Sequence, residues 1–149
     1  MEFCAGGELF FRLNNIPNGK MSEKQAKFYF AEILEAIQYL HDNEILYRDL
    51  KPENIVIDES GHVKLTDFGL SKIHFKRDDR AYSFCGSPEY MAPEMLLTER
   101  NGMLGNSPSW HNKCLDFYHL GALLFEMLVG LPPFFSENRE KMYKDILFE

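Results

Sequence analysis

The sequence predicts a mainly α-helical fold that carries one small β-hairpin. Three observations support it. Phe30, Ile33, Leu34, Ile37 and Leu40 recur at helical spacing and give one apolar face. Two short strand patterns, 54–58 and 63–66, flank Glu59-Ser60-Gly61-His62, a turn with glycine placed for positive φ. The run from Phe117 to Val129 is apolar almost all round, as in a helix buried within a domain.

Taken in order, Gly6-Gly7 reads as a turn and Glu8 to Leu13 as the start of a short helix. Asn14 to Met21, with Pro17-Asn18-Gly19, is a loop. Ser22 is placed to cap the long helix, with Gln25 completing a capping box. That helix ends near His41-Asp42-Asn43, and His41 reads as a helix-end polar residue rather than a ligand. The hairpin follows, then a polar, charged loop over 73–82. Residues 97–110, rich in Gly and Asn, read as an inserted surface loop. Gly130 and Pro132-Pro133 end the apolar helix, on which His119 is a packed or edge histidine. Ser136 is placed to cap a last helix that buries Met142, Ile146 and Leu147.

The 149 residues suffice for one domain with a core, and 45% hydrophobic with 26% charged residues is ordinary for a globular protein. A net charge of −7 disfavours nucleic acid and anionic membrane as partners and suits a basic peptide better. Cys4, Cys85 and Cys114 form no C-x-x-C pair, which argues against a disulfide framework or zinc site and for a reducing compartment. No apolar run is long enough to span a membrane, no signal peptide is expected, and no internal repeat appears.

The chemistry concentrates in Tyr47-Arg48-Asp49-Leu50-Lys51-Pro52-Glu53-Asn54. Asp49 can accept a proton, Lys51 supplies a mobile positive charge, and Asn54 offers a neutral oxygen to a hard cation. That set suits phosphoryl transfer, where a protein mainly positions groups and neutralises charge. The hairpin after Asn54 brings Asp67 back to the same end, so two hard oxygen donors suited to magnesium meet there.

Together with Asp67-Phe68-Gly69 and Ala92-Pro93-Glu94, this stretch resembles the signature set of eukaryotic protein kinases, with Tyr47 where the template has His. Tyr-Arg-Asp, Asp-Phe-Gly-Leu-Ser-Lys and Ser83-Phe84-Cys85-Gly86-Ser87-Pro88-Glu89-Tyr90 resemble the AGC group of Ser/Thr kinases, which includes the cyclic-AMP-dependent, ribosomal-S6 and Akt-type enzymes. The resemblance implies the large, C-terminal lobe of the kinase fold with the small lobe absent. Residues 1–149 then form a partial domain, from the hinge through the helix after the central large-lobe helix, with no Gly-rich loop, phosphate-gripping Lys or last large-lobe helices.

By the same resemblance the cofactors are ATP and magnesium. Asp49, Lys51 and Asn54 are the catalytic set, and Asn54 and Asp67 hold the metal. Phe68 packs beneath Asp67. Glu2 and Cys4 fall at the hinge, where backbone meets adenine, and Met1 at the gatekeeper position. Cys4 reads equally as a buried small hydrophobe. Val56 floors the adenine, Thr66 lines the pocket, Glu8 matches the ribose acid, and Glu53 also belongs to the nucleotide pocket. Ser83 falls at the activating phosphorylation site, served by an upstream kinase, where a phosphate could pair with Arg48 and Lys72. Ser87 and Lys51 steady Asp49, while Glu8, Glu53 and Glu126 match acids that read Arg or Lys in a peptide substrate. Asp116 caps the central helix and holds the catalytic-loop backbone, and Glu94 awaits an Arg from a later helix.

The implied function is transfer of the γ-phosphate of ATP to Ser or Thr of basic protein segments, in the cytoplasm with the nucleus as second compartment. The fragment alone is expected to be inactive. The alternative is a non-catalytic, pseudokinase-like binding or scaffold module, and a small-molecule kinase fits less well because 87–89 resembles a peptide-docking platform.

Overall fold

A computed structural model describes residues 3–103 and 109–149, the side chains of 99–103 excepted. The expected hinge residue Glu2 and gatekeeper Met1 lie outside them, as do residues 104–108 of the expected insertion.

The chain opens with a two-residue strand, Gly7–Glu8 (β1), which leads into a short helix, Leu9–Asn15 (α1). A 3-10 turn over Pro17–Gly19 precedes the long helix Glu23–Asp42 (α2). Its start follows the capping box: Ser22 Oγ accepts the Gln25 N–H, and the Gln25 side chain accepts the Ser22 N–H. Ile33, Ile37 and Leu40 are buried along one face, with Phe30 and Leu34 packed beside them.

Strands Ile55–Ile57 (β2) and Val63–Leu65 (β3) form the hairpin, and Gly61 takes φ +89 in its turn. The sheet has three strands rather than two, in the order β1-β2-β3 and antiparallel throughout. Gly7 faces Ile57, and Glu8 faces Val56. A two-residue strand has no periodicity to read, so the sequence could not announce it. The close approach depends on Gly6, because a Cβ there would sit 2.7 Å from the Ile57 carbonyl oxygen.

Pro93–Met103 (α3) replaces the first half of the surface loop expected over 97–110. Thr98 is buried, and its hydroxyl donates to the carbonyls of Glu94 and Ser109 at 2.9 and 3.1 Å. Helix Cys114–Val129 (α4) follows, closed by Gly130. The structure differs from expectation at two points of α4. Asp116 lies inside the first turn of α4 and does not cap it, and Phe117, Phe125, Leu128 and Val129 are exposed, so the helix is not buried all round. The last helix, Arg139–Phe148 (α5), is capped by Asn138, whose side chain accepts the Lys141 N–H; Ser136 Oγ instead accepts the N–H of Asn138.

Two apolar clusters organise these pieces. The larger joins α1, α2, the sheet and α4 through Leu9, Ile33, Ile37, Ile55, Leu123 and Met127. The smaller joins α3, α4 and α5 through Met95, Leu115, Met142 and Ile146. The 47–54 stretch lies between α2 and β2, with Tyr47 and Leu50 in the larger cluster. No helix among the described residues is long and apolar enough to cross a membrane.

Candidate active site

The loop from Leu46 to Asn54 is buried for most of its length, which is unusual for a connection and demands partners for its polar groups. Asp116, at the start of α4, supplies many of them. Its Oδ1 accepts the Arg48 N–H at 2.7 Å, and its Oδ2 accepts the Tyr47 N–H at 2.9 Å. Asp116 Oδ2 also meets His41 Nε2 at 2.7 Å. His41 sits in the last turn of α2, as expected for a helix-end polar residue, and is buried there against Asp116. Arg48 takes φ +74, a conformation disfavoured for a side-chain-bearing residue, and these bonds hold it there.

With the backbone fixed, Asp49 is presented at 7% exposure. Three side chains converge on its carboxylate. Asn54 Nδ2 donates to Oδ2 at 2.9 Å and to the Asp49 carbonyl at the same distance. Ser87 Oγ donates to Oδ1 at 3.2 Å. Lys51 Nζ lies 3.4 Å from Oδ2 and donates to Ser87 Oγ at 2.9 Å. Pro52–Asn54 forms a 3-10 turn, and Lys51 and Asn54 at its two ends both reach Oδ2 of the acid.

The hairpin returns the chain to the same place. Thr66 donates its N–H to the Asn54 carbonyl at 2.9 Å, and its hydroxyl reaches the same oxygen at 3.2 Å. Asp67, next along, is exposed with φ +52, and its Oδ1 accepts the Gly69 N–H at 3.1 Å. The Tyr47 phenol donates to the Thr66 carbonyl. Burial, with the carboxylates of Asp49, Asp67 and Asp116, pushes that phenol well above its usual range. The charges of Asp49 and Asp67 are thus felt at one ring. Phe68 packs edge-on against Tyr47, centroids 5.3 Å apart, and remains half exposed.

The donor set suits magnesium. Asn54 has spent its N–H donors on Asp49, which leaves the amide oxygen as what it offers a cation. Asp67 adds an exposed carboxylate. Among the described residues no group of three His, Cys, Asp or Glu could hold a metal, and magnesium needs no such cage, taking one or two protein oxygens beside phosphates and water.

Of the expected nucleotide residues, Val56 is half-buried in the central strand, opposite Glu8 on β1. Cys4 is half-buried, and its carbonyl accepts the Gly7 N–H at 3.2 Å. Glu53, Glu89 and Glu126 share a cleft of about 310 Å³ with Phe10 and Tyr90. The Tyr90 hydroxyl donates to Glu126 Oε2. Burial raises the pKa of Glu126, and the neighbouring Glu53 and Glu89 raise it further.

In the activation segment, Arg48 Nη1 lies 2.5 Å from Ser83 Oγ, and Arg48 Nε donates to the Leu70 carbonyl at 2.7 Å. Lys72 lies earlier in the same segment than Ser83. Its backbone pairs with Leu46, and its ammonium sits 5.9 Å over the Phe75 ring. Glu94 is half-buried on an open cleft rather than sealed in the core. Sequence reasoning missed His111, which is buried and pairs its backbone with Ala81. A lone histidine at the end of a surface segment gives no periodic or motif signal.

The sequence matches the protein kinase domain family over residues 1–149. Serine/threonine-protein kinase SCH9 of Saccharomyces cerevisiae is 50% identical over 147 residues, 99% of this chain and 16% of that protein. Serine/threonine-protein kinase YPK1 of the same yeast is 48% identical over 149 residues, all of this chain and 20% of that protein. The cAMP-dependent protein kinase catalytic subunit PRKX of Homo sapiens is 48% identical over 147 residues, 99% of this chain and 37% of that protein. The chain thus spans well under half the length of these relatives.

Proposed function

The chain belongs to the protein kinase domain family, with its resemblance to the AGC group, and from that premise we propose that it carries the catalytic loop and peptide platform of an ATP-dependent serine/threonine kinase acting on basic segments. The observation that carries the proposal is the convergence of Lys51, Asn54 and Ser87 on the carboxylate of Asp49.

Asp49 orients the substrate hydroxyl and takes its proton as the oxygen bonds to the γ-phosphorus and ADP leaves. Lys51, already beside that carboxylate, faces the negative charge of the transferring group. Ser87 holds Asp49 from the other side and ties it to the segment on which a peptide would lie. Asn54 and Asp67 are the residues that would hold magnesium, which supplies charge neutralisation on the phosphates when bound. Val56, Thr66 and Cys4 line the nucleotide side. Glu53, Glu89 and Glu126 offer a poorly solvated negative cleft, which favours an arginine or lysine of the substrate. A cytoplasmic location goes with this reading and fits three free cysteines.

The test is phosphotransfer by the full-length product, with ATP and magnesium, to a serine peptide carrying arginines before the serine. Phosphoserine in that peptide, lost in an Asp67→Ala variant, is the expected result. Nucleotide binding without transfer to any protein or peptide would favour the scaffold alternative.

A further inference from the structure

His111 is 1% exposed, and neither of its ring nitrogens has a hydrogen-bond partner among the described residues. A buried imidazole left without partners carries a desolvation cost that a bound group can offset. Its position says which group. His111 and Ala81 exchange both backbone hydrogen bonds, at 2.9 Å each way. In such an antiparallel pair the two side chains lie on one face, and the residue two further along an extended chain returns to that face. That residue is Ser83, exposed and in contact with Arg48 Nη1 at 2.5 Å. The start of the same segment is held beside His111 by the Arg80 guanidinium, 4.4 Å over the Trp110 ring.

The charges around His111 are unbalanced. Burial lowers its pKa to about 4, and Arg48, Lys72 and His119 push in the same direction. Asp116 opposes them, but its carboxylate is already committed to Tyr47, Arg48 and His41. Glu94 of α3 lines the adjoining cleft of about 430 Å³ with His111. Arg48 holds the Ser83 hydroxyl, and the charges of Arg48 and Lys72 both bear on the unpartnered imidazole.

We propose that His111 is a phosphate receiver for Ser83: once that hydroxyl is esterified, His111 takes up a proton and binds the phosphate beside Arg48 and Lys72. The activation segment is thereby fastened to residues 109–112. This rests on the proposed reading of Ser83 as a phosphorylation site. In the modifying step an upstream protein kinase joins the Ser83 oxygen to the γ-phosphorus of ATP, ADP leaves, and the hydroxyl proton passes to that enzyme's base. The proton on His111 comes afterwards from solvent, drawn by an ester dianion whose second ionisation falls near pH 6 when free. The fastening therefore strengthens as pH falls toward that value and weakens above it.

The test uses full-length protein with phosphoserine incorporated at position 83, beside the unmodified protein. Imidazole nitrogen NMR follows His111, and phosphorus NMR follows the ester. On phosphorylation the His111 midpoint should rise by about 1–3 pH units, the usual effect of an adjacent opposite charge. In His111→Gln the ester's own midpoint should rise, because an imidazolium no longer favours the dianion. A His111 resonance that titrates identically with and without phosphate overturns the proposal, and that measurement needs no variant to fold. An ester midpoint unmoved by His111→Gln but moved by Arg48→Lys overturns it as well. Neither readout depends on phosphotransfer, so an inactive protein would defeat the proposed function without touching this result.

Discussion

His41 and Asp116 stand 75 residues apart in the chain, yet Nε2 of one meets Oδ2 of the other at 2.7 Å, both buried. The contact joins the end of α2 to the start of α4, where Lys113 also donates to the His41 carbonyl. Between those helices Asp116 grips the N–H groups of Tyr47 and Arg48. Asp49 therefore inherits its position from the Asp116 carboxylate, which holds the two residues before it.

Removing that grip should be costly. Asp116→Ala strands two buried backbone donors and the His41 ring, and breaking a buried network of this kind costs roughly 3–5 kcal/mol. Urea unfolding of wild type and variant checks it. A loss below about 1 kcal/mol would mean that the loop is held by other means.

Gly6→Ala tests the third strand. The added Cβ would meet the Ile57 carbonyl oxygen at 2.7 Å, with no flexible atom to move aside. Overpacking of this kind costs about 1–3 kcal/mol. Thermal unfolding should show the loss, and nucleotide affinity should fall with it because β1 shares the sheet with Val56.

Two of the buried histidines, His111 and His119, predict an acid-sensitive fold. Burial holds His111 and His119 at about 4, below the ordinary value of 6.5. Between those limits the unfolded chain binds protons that the folded chain does not, so stability falls as pH drops through the window. Each histidine accounts for roughly 3 kcal/mol at most. Exposed His62 acts in the opposite sense, because its bond to Glu32 raises its pKa and favours the folded state at low pH. Unfolding measured from pH 7.5 to 4.5 should show the net loss, and His119→Leu should flatten it.

Glu126 predicts a pH effect on substrate. Its pKa is raised by burial and by Glu53 and Glu89, so the carboxylate gains charge as pH rises above the ordinary glutamate range. KM for an arginine-bearing peptide should fall over that rise. In Glu126→Gln the KM should be higher, by about tenfold, and lose that part of its pH dependence. An unchanged KM would remove Glu126 from the peptide site.

Much of this was legible in the chain. The Ser22–Gln25 box, the α2 face and the hairpin follow from local rules, which is why they appear where periodicity and turn chemistry put them. The catalytic stretch was legible because its residue types are uncommon in that order. What escaped depends on distant partners. The pairing of β1 with β2, the His41–Asp116 bond and the Ala81–His111 bridge each join segments far apart in sequence. Residues 98–103 looked like a loop because Gly and Asn are poor helix formers, but Thr98 is anchored on Glu94 and Ser109 and the helix continues to Met103.

The role of Asp49 is tested most directly by single-turnover phosphotransfer with Asp49→Asn in the full-length protein. The amide keeps the shape and loses the base. The account predicts a rate about 10²–10⁴-fold lower, with ATP and peptide still bound. A variant that transfers phosphate as fast as wild type would contradict it.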